Sequence, residues 1–96
     1  MSRVGPSRRD TLSLSVKLSP NPVRNTGVVA YLVPTAGDFS VKLYDIAGAL
    51  VARLAEGRDR VGLNTARLDA SSLAPGVYFV KLACEEETRT VKVVIH

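Results

Sequence analysis

The chain is organised around Ser72-Leu73-Ala74-Pro75-Gly76-Val77-Tyr78-Phe79-Val80-Lys81-Leu82. Pro75-Gly76 breaks whatever precedes it, and Tyr78, Val80 and Leu82 then alternate with Val77, Phe79 and Lys81. Side chains two apart share one face of a strand, so the run predicts a central strand launched from a tight turn. Tyr78, Val80, Leu82 and Cys84 are assigned to the core, because the opposite set contains Lys81, which must reach water.

The segments around this strand read as further strands of similar length. On the N-terminal side, Leu12, Leu14, Val16 and Leu18 alternate with Ser13, Ser15, Lys17 and Ser19, a half-buried pattern ended by Pro20-Asn21-Pro22. Residues 27–33 form a second strand with Val29, Tyr31 and Val33 inward, and Pro34-Thr35-Ala36-Gly37 is a turn. Phe39, Val41 and Leu43 point inward from the third, against Ser40, Lys42 and Tyr44 outward. Asp45-Ile46-Ala47-Gly48 is a tight hairpin loop in which Gly48 supplies a backbone conformation other residues resist.

The return strand is expected to bury Leu50, Ala52 and Leu54, with an exposed loop over 56–60. A weaker strand over 61–69 turns Ala66 and Leu68 inward, and Asp69-Ala70-Ser71-Ser72 turns the chain into the central stretch. On the far side Glu85-Glu86-Glu87 is a charged hairpin tip. A last strand from Thr88 faces Val91, Val93 and Ile95 one way and Lys92 the other. Seven short strands, tight turns and no helical periodicity predict a seven-stranded immunoglobulin-like antiparallel β-sandwich.

Totals exclude several functions. Ninety-six residues make one domain, which buries roughly 60–65% of its unfolded surface and leaves no deep catalytic cleft. Hydrophobic residues make up 46% of the chain, which argues against disorder. The net charge is +4, and half of it sits in the first eleven residues, a Ser-, Arg- and Gly/Pro-bearing segment that reads as a poorly ordered linker. The remaining arginines are scattered with no stacking aromatics between them, which is a solvated strand face and not a nucleic-acid site.

One cysteine excludes an internal disulfide and a multi-cysteine metal site, and Cys84 reads as a small buried hydrophobe. The three neighbouring glutamates diverge and lack further oxygen ligands, so no metal site is expected there, nor any cofactor. No apolar run reaches the ~18 residues of a membrane-spanning helix, and the N-terminus has no signal-peptide apolar region. An enzyme is not expected: there is no Ser/His/Asp set and no paired carboxylates placed for acid–base work.

Four pieces of the chain, in order and spacing, resemble the type A C-terminal sorting domain of the type IX (Por) secretion system. They are Leu18-Ser19-Pro20-Asn21-Pro22-Val23; Val41-Lys42-Leu43-Tyr44-Asp45-Ile46-Ala47-Gly48 with Leu50-Val51 and Leu54; Leu73 to Leu82; and Thr90-Val91-Lys92-Val93-Val94-Ile95-His96. His96 stands where many members carry a basic residue, and Pro75 where the family usually has a small one. The resemblance implies residues 12–96 are a non-catalytic sorting domain, with 1–11 as the preceding linker.

It further implies an N-terminal cargo absent from this chain and passage through the periplasm to the cell surface or medium. The implied partners are an outer-membrane type IX translocon and a sortase-like protease that cuts the linker, with attachment to anionic lipopolysaccharide in many cases. No nucleic acid and no membrane insertion are implied. The candidate sorting residues are Pro20, Asn21, Pro22, Tyr44, Asp45, Gly48, Gly76, Val77, Tyr78, Lys92, Val93, Val94, Ile95 and His96. Physically, a last strand at a sheet edge presents backbone groups that another sheet can extend, and a chain ending within that strand points to use of the end. The alternative is an immunoglobulin-like binding or adhesion module on a secreted enzyme; such modules display aromatic platforms, and here there is no Trp and Tyr44 alone reads as outward.

Overall fold

The computed structural model describes residues 14–85 and 87–96; the expected linker and Leu12 lie outside the described residues. Seven strands follow in order: β1 (Ser15–Ser19), β2 (Thr26–Val33), β3 (Asp38–Asp45), β4 (Leu50–Arg58), β5 (Gly62–Asp69), β6 (Gly76–Cys84) and β7 (Glu87–Ile95). They form a three-stranded sheet, β1-β2-β5, and a four-stranded sheet, β4-β3-β6-β7, with every neighbouring pair antiparallel. Two sheets of alternating residues packed face to face make the predicted sandwich.

The core faces follow the alternation. Val29, Tyr31 and Val33 from β2 meet Phe39, Val41 and Leu43 from β3 and Tyr78, Val80, Leu82 and Cys84 from β6, all buried in one cluster. Tyr31 and Phe39 pack across the two sheets with ring centroids 5.7 Å apart. The Tyr78 hydroxyl, at the start of the sixth strand, donates to the Ala74 carbonyl at 2.7 Å, so its ring can be buried without an unsatisfied polar end.

The β4 pattern and several strand ends need correction: β2 begins at Thr26, one residue before its expected start, and β5 at Gly62, one after it. Leu50 is 41% exposed and does not face the core, whereas Ala52 and Leu54 pack against it as expected, though half-buried. The cause is two register shifts in the β3–β4 pair: Val41 pairs with Ala55 but Lys42 with Arg53, and Leu43 with Ala52 but Tyr44 with Leu50. Each shift leaves one β4 residue unpaired, so strict alternation cannot hold along that strand. Residues 56–58, read as loop, continue β4, because Asp38, Phe39 and Ser40 pair with them and Asp38 bonds Arg58 at 3.4 Å. The last strand begins at Glu87, opposite Cys84, one residue earlier than expected.

Cys84 is buried at 3% exposure, its thiol directed at the Thr35 carbonyl 4.0 Å away. Burial pushes the thiol's pKa up, so little reactive thiolate forms near neutral pH. The folded protein is therefore expected to react slowly with a thiol reagent and rapidly once denatured. Fast labelling of the native chain would place Cys84 on the opposite face of β6.

Candidate functional site

Val23 follows two prolines and no strand pattern runs through it, yet its side chain is fully buried. It is held by a parallel bridge to Ile95: the Val23 amide donates to the Val94 carbonyl at 2.8 Å, and the His96 amide donates to the Val23 carbonyl at 2.8 Å. Room for it exists because residue 27 is glycine. A Cβ there would stand 3.3 Å from Val23 and 3.2 Å from Leu18.

Asn21 extends the same contact with its side chain. Its Nδ2 donates to the Lys92 carbonyl at 3.0 Å and its Oδ1 accepts from the Val94 amide at 3.1 Å. An amide side chain carries one donor end and one acceptor end, so here it bonds the strand as a backbone peptide unit would. Pro20 and Pro22 flank it, both exposed, each with a cis peptide bond before it. Prolines carry no N–H and so offer no further ladder at this edge.

β7 is the edge strand of its sheet, as expected. Its edge is not uniformly open, however. Toward the C-terminus the carbonyls of Lys92 and Val94 and the amides of Val94 and His96 are bonded by Asn21 and Val23. The stretch before Lys92 has no such cover among the described residues.

The other motif pieces lie beside this clasp. Gly76, Val77 and Tyr78 pair with Ile95, Val94 and Val93, and on the other side of β6 Tyr78 pairs with Asp45 and Phe79 with Tyr44. Asp45 organises the hairpin loop: its Oδ1 accepts from the amides of Ala47 and Ala49, both at 2.9 Å, and its own amide donates to the Ala49 carbonyl at 2.9 Å. Gly48 completes the loop at a φ of +89°, which side chains rarely adopt.

The candidate residues, separated by up to 76 positions in sequence, thus form one band across one end of the four-stranded sheet. It runs from the Asp45–Gly48 loop through Tyr78 and Val93 to Asn21. Tyr78, Val93 and Ile95 face the core, whereas Asn21, Lys92 and His96 are exposed. Only the exposed members and the strand edge can be read by a partner. Val23 lies in the first motif piece but outside the candidate sorting residues, and Gly27 lies in neither; Val23 acts through Ile95, far along the chain, and Gly27 by leaving room for Leu18 and Val23.

Among the described residues no three His, Cys, Asp or Glu side chains gather in the manner of a metal site. The band is built of backbone pairing, an amide clasp and the exposed Lys92, which suits recognition by another polypeptide.

The profile of a family described as "Secretion system C-terminal sorting domain" matches residues 17–96. A solved structure of PorZ, an essential bacterial surface component of the type-IX secretion system of Porphyromonas gingivalis, superposes with a TM-score of 0.60 at 19% identity. The match covers 85% of this chain and 11% of that one, and it supports the sandwich fold. No curated protein sequence matches the chain.

Proposed function

This chain belongs to the secretion system C-terminal sorting domain family, and we infer from that membership how it works: the clasped end of β7 is the feature the export machinery reads. The family is one of type IX sorting signals, non-catalytic in general, whose carriers go to the cell surface or are secreted. In our reading the domain folds in the periplasm at the end of a larger cargo protein. An outer-membrane translocon then takes it as the address, a sortase-like protease cuts the preceding linker, and the cargo is joined to anionic lipopolysaccharide.

The observation that carries the reading is the convergence of the four motif segments on one band. A signal that had to survive on many unrelated cargoes needs a shape independent of them. Asn21 and Val23 supply one by fixing the last strand to the body of the domain. The exposed edge before Lys92 then offers backbone groups in a fixed geometry for strand addition by a partner.

The test is a fusion of residues 12–96 to a periplasm-targeted fluorescent reporter in a bacterium with type IX machinery. The fusion is expected at the surface or in the medium, while the reporter alone stays in the periplasm. If the fusion stays as well, the reading fails.

A further inference from the structure

The outer face of the four-stranded sheet carries a charge arrangement that folding alone does not favour. Arg53, Lys42 and Lys81 stand directly opposite one another across β4, β3 and β6. Like charges placed directly opposite destabilise a strand pair. Arg53 is relieved by Glu56 at 3.3 Å, but among the described residues no carboxylate lies within ion-pair reach of Lys42 or Lys81. Lys81 finds partial compensation over the Tyr44 ring, 5.5 Å from its centre. Lys42, between two cations, finds none.

The next row of the same face is apolar. Leu50, Tyr44 and Phe79 lie opposite one another across the same three strands, and Lys92 continues the row on β7. Tyr44 and Phe79 are half-buried, and Ile46 at the adjoining hairpin tip is 75% exposed. Where the rows meet, an open depression of about 330 Å³ is lined by Tyr44, Ile46, Phe79 and Lys81 among others. Neighbouring strands are spaced ~4.8 Å apart, so the cationic row is about 10 Å long and the apolar row runs parallel to it.

We propose that this face docks an acidic segment of a partner polypeptide, one that sets apolar side chains beside its carboxylates. The cations match the carboxylates and the row of Leu50, Tyr44 and Phe79 receives the apolar groups. A sugar would need an open aromatic face for stacking, whereas Lys81 covers the Tyr44 ring and the remaining aromatic of the row, Phe79, is half-buried. A bilayer surface would need a broad exposed apolar face, whereas here only Ile46 and Leu50 are exposed, and Tyr44 and Phe79 are half-buried beside exposed Lys81 and Lys92. The proposal does not rest on the export reading: it is carried by Lys42 and Lys81, which lie outside the clasp, although Tyr44 and Lys92 belong to both surfaces.

Two measurements test it on the full 96-residue chain. In the first, Lys42→Gln is expected to raise the melting temperature by about 1–5 °C at low salt, with the gain vanishing near 1 M salt where charges are screened. A fall in melting temperature would show that Lys42 serves stability, and would overturn the argument. In the second, a phage-displayed library of random 12-residue peptides is selected on the immobilised chain. Enriched peptides are expected to combine Asp or Glu with apolar residues, to bind at least ~10-fold more weakly to the Lys42→Gln/Lys81→Gln double variant, and to be indifferent to Lys17→Gln on β1. No enrichment, enrichment without acidic residues, or binding insensitive to the double variant would overturn the proposal. So would tighter, lysine-dependent binding to anionic phospholipid vesicles or to polygalacturonate, which would assign the face to a membrane or to an acidic glycan.

Discussion

Removing Val94, Ile95 and His96 is expected to cost a large part of the domain's stability. Ile95 is 2% exposed, and losing a buried side chain of that size costs about 2–5 kcal/mol. The same cut removes the two backbone bonds to Val23 and the Val94 bond to Asn21, each a net contribution of roughly 1 kcal/mol. Val23 would be left without its bridge, and its buried side chain would open to water. Against the ~5–15 kcal/mol that holds a small domain together, this is severe. Urea denaturation of the shortened chain should show a midpoint lowered by more than a third; an unchanged midpoint would mean the clasp holds nothing.

Leu43→Ala is the point substitution with the largest expected effect. Leu43 is fully buried at the centre of β3, with Ala52 opposite on one side and Val80 on the other. Both partner strands fix its backbone, so the cavity cannot collapse easily, and the loss should be about 2–5 kcal/mol. For a domain of this length that lowers the melting temperature by at least ~8 °C. A loss under about 0.5 kcal/mol, typical of surface changes, would place Leu43 on the wrong face.

Much of this fold is legible because most strands alternate without interruption. Tyr78, Val80 and Leu82 announce their face by the lysine between the last two, and the same logic places Phe39, Val41 and Leu43. It fails on β4, where the shifts opposite Lys42 and Tyr44 reverse the pattern and turn Leu50 outward. Bulges are set by pairing with a neighbour, and β4 alone carries no sign of them. Residues 56–58 pass for loop for a similar reason, since their strand character comes from Asp38 to Ser40.

The candidate site shows the same division. Its motif residues can be picked out one by one, but their convergence depends on register: Gly76 meets Ile95 and Tyr78 meets Asp45 only once the sheet is formed. Asn21 reads as a turn residue between prolines. Its role as a clasp requires Lys92 and Val94, more than seventy residues away. The row of Arg53, Lys42 and Lys81 is likewise invisible until three strands are aligned.

In the proposed function the clasped end of β7 is an export address and more than a closure of the core. The most direct measurement is the location of the reporter fusion in three forms: intact, Asn21→Ala and Lys92→Glu. Lys92→Glu changes an exposed charge and should move stability by no more than ~0.5 kcal/mol, while Asn21→Ala should cost about 1–3 kcal/mol and leave a folded domain, as the melting curve of each will report. The intact fusion is expected to reach the surface or medium, and both variants, though folded, are expected to accumulate in the periplasm. Export of the folded Asn21→Ala and Lys92→Glu fusions at the rate of the intact one would contradict that role.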